Sequence, residues 1–264
     1  MSDENETENT DVEETIKIAP GIAMARGEIV VEEELDRNGR KKRMGDNILA
    51  LKEWEPQTRL GRMVLSGQII TFEQAVATGL PIREVQIVDA LLPELTDDVI
   101  NVNMVQRMTD SGRRVRFNVM ACVGNRDGIV GLSTGKAKEV AIAIQKAIVS
   151  AKLNLIQIQR GNGSWESGSG PGSSIPFKVV GSSGSTRLTL MPAPAGKGLV
   201  VGPVGRRVLE LAGITDIWSR SKGQTRTTLN YAQATFNALE MINLAKISIS
   251  QRHEHFIISG RVFK

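Results

Sequence analysis

Between Val99 and Leu155 the chain alternates, turns, alternates again, turns again and then changes period, and few folds tolerate that order. Val99-Ile100-Asn101-Val102-Asn103-Met104-Val105 runs at period two, which predicts a strand with Ile100, Val102 and Met104 on one face and the asparagines on the other. Asp110-Ser111-Gly112 supplies a turn. The run from Arg113 to Val123 is a second strand, with Val115, Phe117, Val119, Ala121 and Val123 on one face and Arg114, Arg116 and Asn118 on the other. Asn125-Arg126-Asp127-Gly128 closes a tight hairpin, because Asp and Gly tolerate positive φ. Ile129 to Ser133 then reads as a short third strand, and Gly135-Lys136 as the opening of a helix. On that helix Val140, Ile144, Ala147, Ile148 and Ala151 form an apolar stripe at spacings of three and four, with Lys138, Gln145, Lys146 and Lys152 off it. The block reads β-β-β-α, a three-stranded antiparallel sheet whose one face receives the helix.

A second unit follows. Ile175 to Val180 and Arg187 to Met191 read as strands joined by Gly181-Ser182-Ser183-Gly184. Gly202-Pro203 opens a helix, since proline lacks only an N–H that would be unpaired there anyway; Val204, Val208, Leu209 and Leu211 make its apolar side and Gly213 its stop. Ile214 to Trp218 is a third strand, leading into a loop crowded by Arg220, Lys222 and Arg226. A last helix from about Thr228 carries Leu229, Ala232, Phe236, Leu239 and Ile242, so this unit reads β-β-α-β-α. Upstream, Pro56 to Leu65 is a short helix ended by Gly67, Thr71-Phe72-Glu73-Gln74 is a capping box opening another that stops at Gly79, and Ile87 to Leu92 is a short apolar turn stopped by Pro93.

The expected fold class is therefore α+β: two α/β sandwich domains behind an N-terminal helical extension. The boundaries read as a flexible acidic and basic tail over 1–46, the extension over 47–98, a first domain over 99–160, a Gly/Ser-rich linker over 161–174, a second domain over 175–248 and a tail over 249–264 without an assigned role.

Charge is divided along the chain. Met1 to Thr15 holds seven acids and no base, which leaves 33 basic against 22 acidic residues over the remainder, a net +11 that favours a polyanionic partner. The basic run Arg40-Lys41-Lys42-Arg43 adds to it. Aromatic residues make up only 4% of the chain, which argues against recognition by stacked bases and for contacts to phosphate, sugar and backbone shape. No apolar run approaches a membrane span and the start is acidic, so a soluble, cytoplasmic protein without a signal peptide is expected. The single cysteine, Cys122, falls at a strand position and forms no internal disulfide.

The run Gly112-Arg113-Arg114-Val115-Arg116-Phe117, then Val123-Gly124-Asn125, then Gly131-Leu132-Ser133-Thr134-Gly135-Lys136-Ala137-Lys138-Glu139-Val140 resembles the S5 family of small-subunit ribosomal proteins. Gly163-Ser164-Trp165-Glu166, Pro192-Ala193-Pro194, Ala212-Gly213-Ile214 and Gly223-Gln224-Thr225-Arg226-Thr227-Thr228-Leu229-Asn230 are similar to its archaeal and eukaryotic branch, and the likeness covers about Trp54 to Leu244. The resemblance implies a first domain like a double-stranded-RNA-binding fold without its leading helix, and a non-enzymatic structural component of the small subunit. It implies rRNA as partner, with ribosomal proteins of the S4 and S8 families and with mRNA near the channel through which it enters, and a part in decoding accuracy. The phosphate clamps would be Arg107, Arg113, Arg114 and Arg116 on the first hairpin, Lys136 and Lys138 at the helix start, Lys197 and Arg206 around the second domain's helix, and Arg220, Lys222 and Arg226 in its later loop. Archaeal relatives carry cysteines and a histidine around the Gly-Ser-Trp-Glu segment; here Asn162, Ser167, Ser169, Ser173 and Ser174 stand there, so no metal is expected and any ordering must come from Trp165 or from rRNA.

Other chemistry finds little support. Gly131 to Ala137 fails as a nucleotide P-loop, because three residues rather than four separate the glycines and Ala137 replaces the metal-binding hydroxyl; what remains is a Gly-Lys at an expected helix N-terminus, able to offer N–H groups to an RNA phosphate. Pro194 to Pro203 is a second glycine-rich helix approach, and small-molecule kinases of the galactokinase and mevalonate kinase type are similar in architecture to the second domain. No serine pair or metal-binding carboxylate accompanies that loop, so the kinase reading stands only as an alternative, beside a free-standing double-stranded-RNA binder. His253 and His255 lack a cysteine cluster, and no cofactor is implied.

Overall fold

The computed structural model describes residues 54–166 and 172–260, together with three short strands between residues 16 and 31. It divides into two compact units, residues 1–93 and 94–264. In the first, β1 (Ile16–Ala19), β2 (Ile22–Ala25) and β3 (Glu28–Val31) form an antiparallel meander in that order. The acidic block and the basic run Arg40-Lys41-Lys42-Arg43 lie outside the described residues.

Three short helices follow, α1 (Arg59–Leu65), α2 (Phe72–Ala77) and α3 (Val85–Leu91). The capping box forms as expected at α2, where the Thr71 hydroxyl accepts from the Gln74 N–H and the Gln74 side chain accepts from the Thr71 N–H. The stretch expected as a turn before Pro93 is helical instead, because Ile87, Val88, Ala90 and Leu91 share a buried side at helical spacing. Glu84 organises the start of this unit. Its carboxylate accepts from the Trp54 indole N–H at 2.9 Å and from the backbone N–H groups of Gln57 and Thr58 at 3.1 and 2.6 Å. Burial alone would raise that carboxyl, and these donors outweigh it and hold it below the usual carboxylate range.

The second unit begins with an antiparallel sheet in chain order: β4 (Thr96–Thr109), β5 (Gly112–Gly124), β6 (Ile129–Ala137) and, after α4 (Val140–Leu153), β7 (Leu155–Gln157). On one face Val119 and Ala121 meet Ala143 and Ala147 of α4, with Val99, Phe117, Ile144 and Ile148 packed around them. The other face is covered too, which the single apolar stripe did not foretell: Ile100, Met120, Cys122, Val130 and Leu132 share one core with Leu188, Leu190, Val208, Leu209, Phe236 and Leu239 from the second half of the unit. Lys152, read as lying off the apolar stripe of α4, is buried.

Two expectations in this sheet are overturned. The strand β6 runs on to Ala137, so Gly135 pairs with Val119 and Lys136 with Asn118, and the helix opens only after Glu139. A Cβ on Gly135 would stand 2.5 Å from the Ala143 carbonyl oxygen and 2.6 Å from the Ala147 nitrogen, so this glycine lets strand and helix approach rather than freeing N–H groups for an anion. The second is the phase of β4. A bulge falls between Val99, which faces Ala121, and Asn101, which faces Met120. The extra residue, Ile100, turns into the second core, while Val102 and Met104 pair with Val119 and Phe117 on the α4 side.

The two-residue strand β8 (Gln159–Arg160) leads to a second sheet of β9 (Val179–Ser183), β10 (Thr186–Pro192), β11 (Leu199–Val200) and β12 (Ile217–Lys222), ordered β11-β12-β10-β9. Its helices are α5 (Pro203–Leu211), with Pro203 at the opening and a glycine stop at Gly213, and α6 (Thr228–Leu244). The strand expected from Ile175 begins at Val179, and Gly181 to Ser183, expected as the turn, belong to the strand. A Cβ on Gly181 would lie 2.1 Å from the Ala234 carbonyl oxygen, so the glycine is spent on close contact with α6, and Gly184-Ser185 makes the turn. Arg220 and Lys222, expected in a loop, lie within β12.

The C-terminal segment closes the unit with α7 (Ile249–Glu254) and β13 (Ile258–Ser259), the latter paired with β8. Beside it Arg160 is buried: its guanidinium meets Asp127 in the β5–β6 turn at 2.6 Å and donates to the Gly260 carbonyl at 3.1 Å. Gly161, where the region read as linker begins, bridges Ser174, where it ends.

Gly135→Ala is expected to destabilise the chain by roughly 1–3 kcal/mol or more, because the clashing atoms are backbone and cannot rotate away. Urea unfolding of the full chain checks this; an unchanged midpoint would show that β6 and α4 can separate at no cost.

Candidate nucleic-acid interface

Beyond their doubly covered root, β4 and β5 continue as a bare two-stranded arm. The pairing runs outward from Val105 opposite Arg116 to Thr109 opposite Gly112, and Asp110-Ser111 form the turn. Gly112 has φ +115°, and the Thr109 hydroxyl donates to its carbonyl at 2.8 Å. Directly paired residues of an antiparallel ladder share a face, so the register sorts the arm's side chains. Arg107 lies opposite Arg114 and Val105 opposite Arg116, on one face; Met104 opposite Phe117, Gln106 opposite Val115 and Met108 opposite Arg113 lie on the other.

The arm therefore separates the four arginines expected to act together. Arg107, Arg114 and Arg116 border a groove of about 280 Å³ with Val105, Met108 and Thr109, while Arg113 belongs to the reverse face. All four are exposed. Among the described residues none of the three groove arginines is ion-paired to a carboxylate. The reverse face is apolar and open, with Met104 64% and Met108 75% exposed. Lys136, opposite Asn118 on β6, extends the arginine face onto the third strand, and Lys138 follows just past its end; both are exposed.

A second cationic surface lies on the β9–β12 sheet. Ile217 is buried and β12 alternates, so Trp218, Arg220 and Lys222 share the opposite, outer face. Arg187, which the sequence reading missed, pairs with Lys222 and is exposed on that same face. Its signal was present in the alternation Arg187-Leu188-Thr189-Leu190, where both leucines are buried. Arg226 sits in the turn before α6. Arg206 is exposed but ion-paired to Glu210 at 3.3 Å, which leaves it a weaker attractor for a ligand. Lys197 stands exposed in the loop ahead of β11.

Comparison with known proteins decides what carries this surface. The description "Ribosomal protein S5, N-terminal domain" matches residues 95–159, and "Ribosomal protein S5, C-terminal domain" matches residues 181–252. The small ribosomal subunit protein uS5 of Methanothrix thermoacetophila is 58% identical over 188 residues, covering 71% of this chain and 93% of that one. Its counterpart in Methanocaldococcus jannaschii is 51% identical over 212 residues, covering 80% and 98%. The chain belongs to the ribosomal protein S5 family. It falls in the archaeal branch of that family, whose members are structural, non-enzymatic proteins of the cytoplasmic ribosome.

The remaining chemical features of this S5-family chain agree with that. Asp216 is buried beneath the glycine-rich loop, accepts from the Gly198 N–H at 2.8 Å and accepts from the Thr215 hydroxyl at 2.9 Å. Gly196 and Gly198 both take positive φ, +86° and +72°, to wrap this carboxylate. The loop that invites comparison with a kinase thus already holds the protein's own anion, and a phosphate there would meet repulsion. Cys122 is buried in the shared core, and burial first, with the Asp98 charge second, pushes its thiol up to about 12, so it stays an unreactive strand residue. Trp165 is 91% exposed; the chain before it is held by the Asn162 N–H on the His255 carbonyl and the Gly163 N–H on the Ile175 carbonyl.

Burial by itself raises the Asp216 carboxyl, but the N–H groups of Gly198 and Gly196 and the side chains of Thr215 and Ser173 outweigh it and hold it below the usual range. A folded-state value below the unfolded one of about 3.9 gives stability that is complete above that value and lost as pH falls through the folded one. Asp216→Asn is therefore expected to be less stable than the parent at pH 7, by a margin that shrinks on acidification. Thermal unfolding of both proteins between pH 7 and pH 3 measures it; a margin constant with pH would mean the carboxylate is not what holds the loop.

Proposed function

We propose that this chain binds small-subunit rRNA through phosphate-backbone contacts, with the β4–β5 arm as its principal reach. The observation that carries the reading is the set of three arginines on one face of an exposed ribbon with no carboxylate ion-paired to them among the described residues. Like charges directly opposite each other in a ladder are unfavourable, and a two-stranded ribbon alone is marginal in water. A polyanion removes both costs at once.

Lys136 and Lys138 extend the arm's contact, and Lys197, Arg206, Arg220, Lys222 and Arg226, with Arg187, supply further backbone contacts from the second sheet and its loops. Arg113 serves from the reverse face. Membership in the family and the small-subunit names of the relatives support assembly into that subunit; rRNA is the partner proposed there, with proteins of the S4 and S8 families as proposed neighbours. By the same likeness the chain helps line the path by which mRNA enters and supports accurate decoding. The proposed organisation keeps a first domain over 99–160 and a second over 175–248, although the two share one hydrophobic core.

Each phosphate contact releases counterions, so removing two should flatten the dependence of log affinity on log salt by roughly 1.5. The double variant Arg107→Ala/Arg114→Ala is expected to show that change with an rRNA fragment, and to enter small subunits less well in a sucrose-gradient assay. An unchanged slope together with normal incorporation would remove the arm from the interface.

A further inference from the structure

We infer that the segment from Ala245 to Gly260 is a clasp that opens and closes on the body without global unfolding, with Arg160 as its latch. In its closed state it anchors the base of the Gly/Ser-rich stretch over 161–174. The clasp is independent of the arm and of what the arm binds.

Polar contacts fasten it at two places. At its far end β13 pairs with β8, Ile258 opposite Arg160 and Ser259 opposite Gln159. The Gly260 N–H donates to the Ile158 carbonyl at 3.1 Å. The Arg160 guanidinium donates to the Gly260 carbonyl at 3.1 Å and meets Asp127 at 2.6 Å, so one side chain ties the end of the clasp to the β5–β6 turn. Nearer its start, the His255 carbonyl accepts from the Asn162 N–H at 2.8 Å. The Asn162 side chain accepts from the Ser173 N–H at 3.3 Å, and Gly161 and Ser174 exchange hydrogen bonds at 2.9 and 3.3 Å. Both ends of the Gly/Ser-rich stretch therefore meet where the clasp lands.

Little apolar surface holds the clasp down. From Ala245 onward Gly260 is buried, while the other described residues are half-buried or exposed, Ile249 and Phe256 among the exposed. Beneath it Ile158, Arg160 and Gly161 are buried. A segment that buries few apolar side chains and is tied mainly by hydrogen bonds opens locally, at a fraction of the free energy of global unfolding. Two features favour the open state further. Phe256, between α7 and β13, has φ +47°, a left-handed conformation that a bulky side chain rarely takes and that opening relieves. Arg160 Nε and Gln159 Oε1 are buried without a hydrogen-bond partner among the described residues, and opening uncovers the strand that carries both. The latch opposes them, since withdrawing the Gly260 carbonyl deprives a guanidinium of a charge-assisted bond.

Amide hydrogen exchange of the full chain, followed residue by residue by NMR at increasing urea below the unfolding transition, separates local from global opening. Asn162 reports the clasp; Phe236 and Leu239, in the buried middle of α6, report the body. Protection of Asn162 is expected to be at least about tenfold lower than theirs and to depend only weakly on urea. Phe256→Gly relieves the left-handed strain and should raise Asn162 protection about fivefold. Gly260→Ala places a side chain on φ +75° and should lower it about fivefold or more. Arg160→Lys keeps the charge but loses the fork that reaches both Asp127 and Gly260, and should lower it about tenfold.

Gly135→Ala distinguishes a clasp from general loosening. Its strain lies between β6 and α4 and is present whether the clasp is open or closed, so it should lower the protection of Phe236 and Leu239 about fivefold or more and change that of Asn162 by less than about twofold. Equal protection and equal urea dependence at Asn162 and in α6 would overturn the proposal, because the segment would then open only with the whole body. So would a Gly135→Ala variant in which Asn162 falls together with α6, or Phe256→Gly and Gly260→Ala variants that leave Asn162 unmoved. Asn162 protection unaffected by Arg160→Lys would remove Arg160 as the latch.

Discussion

The arm depends on how its root is held, and the root is held on both faces. Val119 and Ala121 are pressed against α4 while Met120 and Cys122, the residues between them, are pressed into the core shared with the second sheet. Four consecutive residues of β5 are thereby fixed, alternately, from opposite sides. Each buried apolar side chain of this kind contributes about 1.5–3 kcal/mol against the entropy of ordering it, and no comparable burial exists past Phe117. At about 3.3 Å per residue the fourteen residues of β4 span roughly 45 Å, and every residue of it from Val102 outward is exposed, so the outer part has register but no packing of its own.

Register is what makes the arm chemically specific, and the bulge at Ile100 sets it. A one-residue slip in a strand sends every side chain to the other face. At the root Val99 must face α4 with Ala121, and at the tip Arg107 must oppose Arg114; simple alternation from Val99 would put Arg107 on the α4 side and turn Met104 and Met108 to the other. The extra residue reconciles the two demands. Ile100 drops into the shared core, and everything outward of it changes phase, leaving Met104 and Met108 on one face with Val115 and Phe117, and Arg107 on the other with Arg114 and Arg116.

This also explains what the sequence could disclose. β5 carries no bulge, so its alternation is correct residue by residue from Val115 to Val123, and the arginine face of that strand was legible. Capping residues act locally, which is why Thr71 with Gln74, Pro203 and Gly213 were read correctly. The bulge in β4 was invisible because Val-Ile-Asn-Val alternates whether or not Ile100 is skipped. Gly135 and Gly181 misled for a different reason: glycine serves a turn, a helix start or a close approach, and only the position of α4 or α6, distant in sequence, tells which. Arg160 was hidden by its neighbours, since a cation beside a Gly/Ser-rich run looks solvated until Asp127 and the Gly260 carbonyl are seen around it.

The chain treats its concentrations of positive donors in two ways, and the contrast identifies those that look outward. Where donors converge within the structure, the fold supplies its own anion: Asp216 under the glycine loop, Asp127 on Arg160, Glu84 on the N–H groups of Gln57 and Thr58. Leaving a buried donor or charge unmet costs more than a made bond returns, so these carboxylates are structural necessities. On the arm the same rule is not applied, although Asp110 is only three residues from Arg107 and Arg113 in sequence; it stands in the turn, and the ladder carries the arginine side chains away from it. In water this omission is inexpensive, because exposed guanidinium groups are hydrated and screened. Under the proposed function it becomes expensive only when the arm enters a confined, desolvated space, and that space must then provide the anions the fold has withheld.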